Sequence, residues 1–246
     1  MLNYVAKVLL LAAGMCTCSI AFSGKPTMVN PLLSDMRPWC IGRLVFDRPV
    51  ASEISNERYK FRGEKLETQR SVSFATYQAR VDALKNDLRT KMRVDPGSRN
   101  RKTSHSWLEK EIYPTKSSRV FIYQNAETDG VALPFDSEGY IYENGTLFHT
   151  VGSIGSLAIG RAEDIYNDTY RRIEARDNWT VPTKSGFCFD GGIVTGSSTY
   201  TEEVSQSFAL MPGRPALLVV KMRDSVEADQ KEPLTKTLPQ LRAQLD

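Results

Sequence analysis

The chain has 246 residues, of which 41% are hydrophobic and 25% are charged, and its formal net charge is only +3. These values are ordinary for a folded globular protein, and they exclude collagen-like, low-complexity and extensively disordered chains. The length allows one large domain or two small ones, with enough apolar residues to build a sizeable core.

The first 23 residues have the pattern of an export signal. Lys7 precedes an apolar stretch at 8–15, and small residues end at Ser23, where we expect cleavage. The apolar stretch is shorter than the roughly 20 residues that a membrane-spanning helix needs. The sequence therefore predicts a periplasmic protein without a stable membrane span. A retained anchor and lipid attachment at Cys16 or Cys18 stay open as alternatives.

Removal of the signal leaves two cysteines, Cys40 and Cys188. In an oxidising compartment two such thiols tend to pair, so we predict a disulfide between them. A bridge that closes so long a loop stabilises a fold by roughly 4 to 5 kcal/mol in the chain-entropy model. Zinc binding is the alternative, although no second Cys or His lies at ligand spacing from either thiol.

Strands and one long helix are predicted in the first half of the chain. Residues 41–46 alternate apolar and polar side chains as a strand does, and the stretch 47–49 ends it with a proline. From Ser73 onward, apolar residues recur at steps of three and four, which predicts a helix to about Arg93. A turn at 95–97 then opens a polar loop that extends to residue 106.

The second half predicts a hairpin, another helix and several short strands. Asn144 and Gly145 favour a two-residue turn between strands at 140–143 and 146–150. Residues 162–176 carry apolar side chains on one face, as an amphipathic helix does. A polar, proline-containing stretch follows and predicts a boundary near Thr183. The other predicted strands are at 119–123, 187–189, 191–194, 204–210 and 216–222.

Motifs for catalysis and for nucleic-acid binding are missing from the sequence. Residues 152–156 do not form a nucleophile elbow, and His105 and His149 lie far apart. Asp190, Glu202 and Glu203 could form an acid–base pair, but turn capping is the simpler role for Asp190. The basic cluster at 89–102 has no interleaved aromatics that would stack on bases. We expect no enzyme, no cofactor, no metal site and no nucleic-acid partner.

Two motifs centred on the cysteines resemble a known family. The first is Trp39-Cys40-Ile41-Gly42-Arg43, and the second is Gly186-Phe187-Cys188-Phe189-Asp190-Gly191-Gly192. In this order on an exported chain, they resemble the immunity proteins cognate to type VI secretion lipase effectors. The resemblance is closest to the branch that neutralises the fourth class of those phospholipases. It marks Gly42, Arg43, Gly186, Phe187, Asp190, Gly191 and Gly192, beside the two cysteines, as family motif residues.

The resemblance implies an α+β fold with two lobes of antiparallel sheet and packed helices. We expect a signal peptide at 1–23, an N-terminal immunity lobe at 37–182 and a partial C-terminal lobe at 183–246. In this family the lobes clamp a secreted α/β-hydrolase effector in the periplasm and hold its lid, so the inhibitor needs no catalysis of its own. The expected partner is therefore a cognate lipase protein.

The contact residues for such a partner are unknown from the sequence. Arginine and tyrosine side chains in polar segments, such as Arg99, Arg101 and Tyr200, are candidate anchors because these residue types dominate binding energy at interfaces. Two other classes stay open at this point: a periplasmic hydrolase with an unrecognised site, and a structural component of the cell envelope.

Overall fold

The structure is a computed structural model that describes residues 35–94, 104–124, 134–197, 200–210 and 217–224. The predicted signal peptide, with Cys16 and Cys18, lies outside the described residues. So do Arg99, Arg101, most of the predicted polar loop and residues 225–246 of the predicted second lobe.

The described residues form fifteen strands and two α-helices. The strands are β1 (Met36–Ile41), β2 (Leu44–Pro49), β3 (Glu53–Phe61), β4 (Glu64–Gln69), β5 (Met92–Val94), β6 (Ser104–Ser106), β7 (Leu108–Ile112), β8 (Ser118–Tyr123), β9 (Phe135–Glu143), β10 (Thr146–Ile154), β11 (Ile173–Ala175), β12 (Gly186–Phe189), β13 (Gly192–Thr195), β14 (Glu202–Ala209) and β15 (Leu217–Asp224). The helices are α1 (Phe74–Thr90) and α2 (Ala162–Arg171), and a short 3₁₀ turn at Ile159–Arg161 leads into α2.

An eight-stranded antiparallel sheet organises the fold, in the order β15-β14-β3-β4-β10-β9-β8-β7. A three-stranded sheet (β11-β13-β12) and two hairpins (β1-β2 and β5-β6) accompany it. All pairs are antiparallel, and short helices pack beside them, so the α+β class predicted from the sequence is confirmed.

The two faces of the large sheet are covered differently. On one face, the main hydrophobic core joins the sheet to β1, α2 and the three-stranded sheet, with Trp39, Phe61, Phe148, Tyr166 and Phe187 among its buried members. On the other face, α1 packs a smaller cluster against the β8–β10 end of the sheet. Burial of apolar surface on both faces therefore fixes which side chains of each strand point to the main core and which point to the α1 side.

Local signals in the sequence account for the ends of several elements. The hydroxyl of Ser73 accepts a hydrogen bond from the Thr76 backbone N–H at 3.1 Å, which caps the predicted helix α1. Asn144 and Gly145 both adopt positive φ, 50° and 80°, and join β9 to β10 in a two-residue turn. Both the helix and the hairpin are confirmed, although α1 ends at Thr90 and β5 follows it.

Three predicted boundaries were wrong. The single strand expected at 41–46 is instead a hairpin, because Gly42 turns at φ +56° and lets Ile41 pair with Leu44. The helix expected at 162–176 ends at Arg171, since β11 pairs with β13. Part of the expected loop to residue 106 forms β6, which pairs with β5. In each case strand pairing with a neighbour overrides the local periodicity.

Strand pairing crosses the boundary predicted near Thr183. β14 lies between β3 and β15, and β12 and β13 extend the sheet that begins with β11. The described parts of the two predicted lobes thus share one large sheet and one main core. A division into lobes at 37–182 and 183–246 stays a prediction.

Candidate functional site

A disulfide joins the two cysteine motifs. Cys40 of β1 is bonded to Cys188 of β12, with a Cα–Cα distance of 5.8 Å and a sequence separation of 148. Beside the bond, the Gly42 and Cys188 backbones exchange two hydrogen bonds, N–H to O at 2.8 and 2.7 Å. The disulfide predicted from the sequence is present, and it ties the β1–β2 hairpin to the three-stranded sheet.

Gly42 is placed where a side chain does not fit. Its φ of +56° is in the left-handed region that favours glycine. A Cβ atom built there would lie 2.3 Å from Cε of Met222 on β15 and 3.0 Å from a methyl group of Val204. The first motif therefore needs glycine both for its turn and for close packing against β14 and β15.

Arg43 forms a bidentate ion pair with Glu202 at the start of β14. Its Nε and Nη2 each donate to one carboxylate oxygen of Glu202 at 2.7 Å, and Nη1 donates to the Gly196 carbonyl at 3.0 Å. Glu202 is fully buried, while Arg43 is a quarter exposed. Two parallel bonds to a buried carboxylate fix geometry as well as charge, so this pair locks the first hairpin onto the large sheet.

The second motif is held in place through Asp190. One oxygen of its carboxylate accepts from Arg70 Nη2 and from Asn178 Nδ2, both at 2.6 Å, and its backbone carbonyl accepts from the Thr68 hydroxyl at 2.5 Å. The side-chain Oδ1 of Asn178 in turn accepts from the Gly191 backbone N–H at 2.7 Å. These bonds connect the end of β4 to the β12–β13 turn.

The remaining motif residues serve packing. Phe187 is fully buried in the main core. A Cβ atom at Gly186 would lie 2.4 Å from the Val194 carbonyl oxygen, and one at Gly192 would lie 2.3 Å from the Phe189 ring. The structure thus brings both motifs together at one joint through the disulfide and the Gly42–Cys188 backbone bonds, while Arg43 and Asp190 bind residues outside the motifs. Their positions indicate a structural role, and the family motif assignment itself stays a prediction.

The three carboxylates considered as an acid–base pair are not brought together. Asp190 and Glu202 are each held by an arginine, Arg70 and Arg43. Glu203 follows Glu202 on β14, so its side chain points to the opposite face of the sheet. No two of these three carboxylates share a site, so they do not form the acid–base pair considered from the sequence.

A polar cluster around His149 is a feature that the sequence analysis missed. The ring lies between two carboxylates, with Nδ1 3.1 Å from Glu67 and Nε2 2.9 Å from Glu138, and it stacks on Tyr140 at 4.7 Å. Burial of the ring opposes its charge, but the hydrogen bonds to Glu138 and Glu67 outweigh burial and raise the pKa of His149. The two-residue turn already implies the Tyr140–His149 pairing, whereas no local signal identifies Glu67 as a neighbour.

The His149 cluster lines a cleft of about 580 Å³ between α1 and the sheet. Arg80 of α1 and Gln69 of β4 form its rim and are hydrogen-bonded to each other at 2.6 Å. His105, the other histidine, lies on the short strand β6 and is not part of this cleft.

The described residues contain neither a metal-binding cluster nor a membrane-spanning helix. No group of three or more His, Cys, Asp or Glu side chains in this part of the chain is placed to hold a metal ion. Within the same residues, neither helix has the length and apolar character required to cross a bilayer.

A family model described as the N-terminal domain of Tle cognate immunity protein 4 matches residues 37–176. The match covers more than half of the chain and contains the first cysteine motif, while the second motif lies beyond it. No curated protein sequence matches the chain.

Solved structures share the fold at low sequence identity. The apo structure of the immunity protein TplEi of the type VI secretion system from Pseudomonas aeruginosa is similar, with a TM-score of 0.66 and 19% identity over 86% of this chain and 68% of that one. A chain of the Tle4–Tli4 complex matches equally, with a TM-score of 0.66 and 19% identity over 85% of this chain and 66% of that one.

TplEi in complex with a peptide designated "L" is also similar, with a TM-score of 0.60 and 19% identity over 86% of this chain and 66% of that one. This chain therefore spans about two thirds of the length of the solved structures that it matches. The likeness shows a shared fold, and the family model adds the relationship in sequence. On that evidence, this chain belongs to the family of Tle cognate immunity protein 4, whose N-terminal domain its residues 37–176 represent.

Proposed function

We propose that this chain is a periplasmic immunity protein that binds and inhibits a cognate type VI secretion phospholipase effector, and so protects the producing cell. The observation that carries the proposal is the family match over residues 37–176. The shared fold with a chain of the Tle4–Tli4 complex supports it, because that structure contains an effector together with its immunity protein.

The periplasm is the compartment that the disulfide supports. Cys40 and Cys188 are bonded deep in the fold, and disulfides of this kind persist in oxidising compartments such as the periplasm. The export signal predicted at residues 1–23 is consistent with this location. Effector and inhibitor then meet where the effector would attack phospholipid.

Inhibition by a protein of this kind is an interface property. A stable complex buries on the order of 1,600 Å² in total, and a few aromatic or arginine side chains carry most of its energy. The family motif residues are committed to contacts within the chain, as Arg43 is to Glu202 and Asp190 to Arg70. We therefore place effector contacts on exposed surfaces, in lobes 37–182 and 183–246, and we assign the protein no enzymatic activity.

Co-expression tests the proposal directly. A candidate secreted phospholipase, identified among the genes that neighbour this chain's gene, is directed to the periplasm of a host cell, with or without the full chain. We expect survival and co-purification only when the immunity protein is also exported, and a version that lacks residues 1–23 is the matched control. Equal killing with and without the exported chain would contradict the proposal, as would hydrolysis of phospholipid by the purified chain alone.

A further inference from the structure

One face of the large sheet is covered over only part of its width. α1 packs on β7, β8 and β9. On the same side of β4, β3, β14 and β15, the sheet displays charged side chains that are exposed or half-buried. We call this surface the open face, and its charged residues are Glu53, Arg58, Lys60, Lys65, Glu67, Glu203, Lys221 and Arg223.

Strand alternation places these side chains on one side of the sheet. On β3, Tyr59 and Phe61 are buried in the main core, so Arg58 and Lys60 point the other way. The even-numbered residues of β14 are all buried, which leaves Glu203 on the open face. The pairing of Ser205 with both Arg58 and Lys221 brings β15 into the same surface.

The open face carries unbalanced positive charge. Its five Lys or Arg side chains against three Glu give a net charge of +2 within the described residues. Glu203 is already shared by Lys60 at 3.7 Å and Arg223 at 3.5 Å, and Glu67 is paired with Lys65 and His149. No ion pair to a described residue balances Arg58 or Lys221.

Lys60 and Lys65 lie directly opposite each other on β3 and β4, a like-charge placement that destabilises a sheet and that their ion pairs with Glu203 and Glu67 offset only in part. Between the charged side chains, Ser205 and Ser207 are half-buried and Val219 is exposed. A partner with negative charge would relieve this repulsion, and basic patches of this kind accelerate association with acidic surfaces.

We propose that the open face is the docking surface for an acidic region of the effector, rich in Asp and Glu side chains. This inference rests on the proposed function and adds the surface and the chemistry of recognition. The cleft at the His149 cluster adjoins the open face through Glu67, so both belong to one continuous surface beside α1.

Charge reversal on the full chain tests the inference. The double variant Arg58→Glu/Lys221→Glu is compared with Lys116→Glu/Arg161→Glu, which changes the net charge equally at two exposed positions outside the open face. Binding to the candidate phospholipase is followed by surface plasmon resonance at low and at physiological salt. We expect the first variant to lose at least tenfold in association rate at low salt, and the control to stay within twofold of the wild type.

The outcomes separate the inference from the proposed function. If the wild type binds the phospholipase and both variants bind equally well, or are slowed equally, the open face is not the docking surface. If the wild type itself does not bind, the proposed function fails and this inference fails with it. Self-association of the wild type that only Arg58→Glu/Lys221→Glu abolishes, with effector binding retained, would assign the face to a second copy. Unaltered thermal unfolding excludes misfolding, and Arg58→Ala/Lys221→Ala replaces any unstable variant.

Discussion

Glu202 and Glu203 are neighbours on β14, yet their surroundings differ completely. Glu202 is fully buried and receives two hydrogen bonds from Arg43, beside the disulfide joint. Glu203 points to the other side of the sheet. On the open face it forms ion pairs with Lys60 at 3.7 Å and with Arg223 at 3.5 Å. A glutamate therefore stabilises the fold at position 202, and a glutamate at position 203 belongs to an accessible charged surface.

This difference separates stability from recognition in the molecule. The residues of the two predicted family motifs lie at the disulfide joint, where Gly42, Arg43 and Asp190 hold the hairpin, the turn and the sheet together. Changes there should alter the free energy of unfolding, whereas changes on the open face should alter association with a partner.

Removal of the disulfide should have the largest effect on stability. The double variant Cys40→Ala/Cys188→Ala opens a loop of 148 residues, which should lower the free energy of unfolding by about 4 kcal/mol, measured by urea denaturation. Chemically reduced wild-type protein is the control and should fall by a similar amount. A loss below about 1 kcal/mol would mean that the other bonds of the joint suffice to hold it.

Loss of the Arg43 side chain should lower the free energy of unfolding slightly less than removal of the disulfide does. Arg43→Met leaves the buried carboxylate of Glu202 without its bidentate partner, which should cost about 3 kcal/mol in unfolding free energy. The double variant Arg43→Met/Glu202→Leu removes both charges and should recover most of that loss. If the single and double variants are equally unstable, packing rather than the ion pair explains the position.

A side chain at Gly42 should destabilise the joint by about 2 kcal/mol, through a strained φ and a collision with Met222. The matched control is Gly145→Ala, where φ is also positive but no atom lies within 4 Å of the added Cβ, so only the backbone strain remains. Thermal unfolding of Gly42→Ala and Gly145→Ala measures the difference. Equal effects would show that Met222 moves aside without cost.

The His149 cluster should give the smallest effect, visible as a pH dependence. Because the folded state raises the pKa of His149, the stability contributed by its protonated ring is present below its ordinary pKa and is lost as pH rises through the folded pKa. The destabilisation caused by His149→Gln should therefore shrink between pH 6 and pH 9. Burial lowers the pKa of His149 while Glu138 and Glu67 raise it, so Glu138→Gln should lower the pKa of His149 in an NMR titration. An unchanged His149 titration in that variant would contradict the assignment.

Local features of the fold were predictable from the sequence, and distant ones were not. Ser73, the helical spacing after it and the Asn144–Gly145 turn each encode their own geometry, so α1 and the β9–β10 hairpin follow directly. The two cysteines left after the predicted signal indicated their pairing by compartment chemistry. The turn at Gly42 was missed because the apolar alternation continues across it on both sides.

The candidate surface depends on pairings between distant parts of the chain. β14 inserts between β3 and β15, and only this register brings Ser205 between Arg58 and Lys221. Strand periodicity fixes which residues share a face, but it does not fix which strand is the neighbour. For the same reason the Arg43–Glu202 ion pair could not be predicted, although the sequence analysis named both residues.

Lysine footprinting of the complex tests the separation most directly. The full chain is acetylated with and without the bound phospholipase, and the modified lysines are quantified by mass spectrometry. We expect the bound phospholipase to protect Lys65 and Lys221 on the open face from acetylation, while the exposed Lys116 and Lys184 remain reactive. Protection of Lys116 and Lys184 with Lys65 and Lys221 still reactive would contradict it.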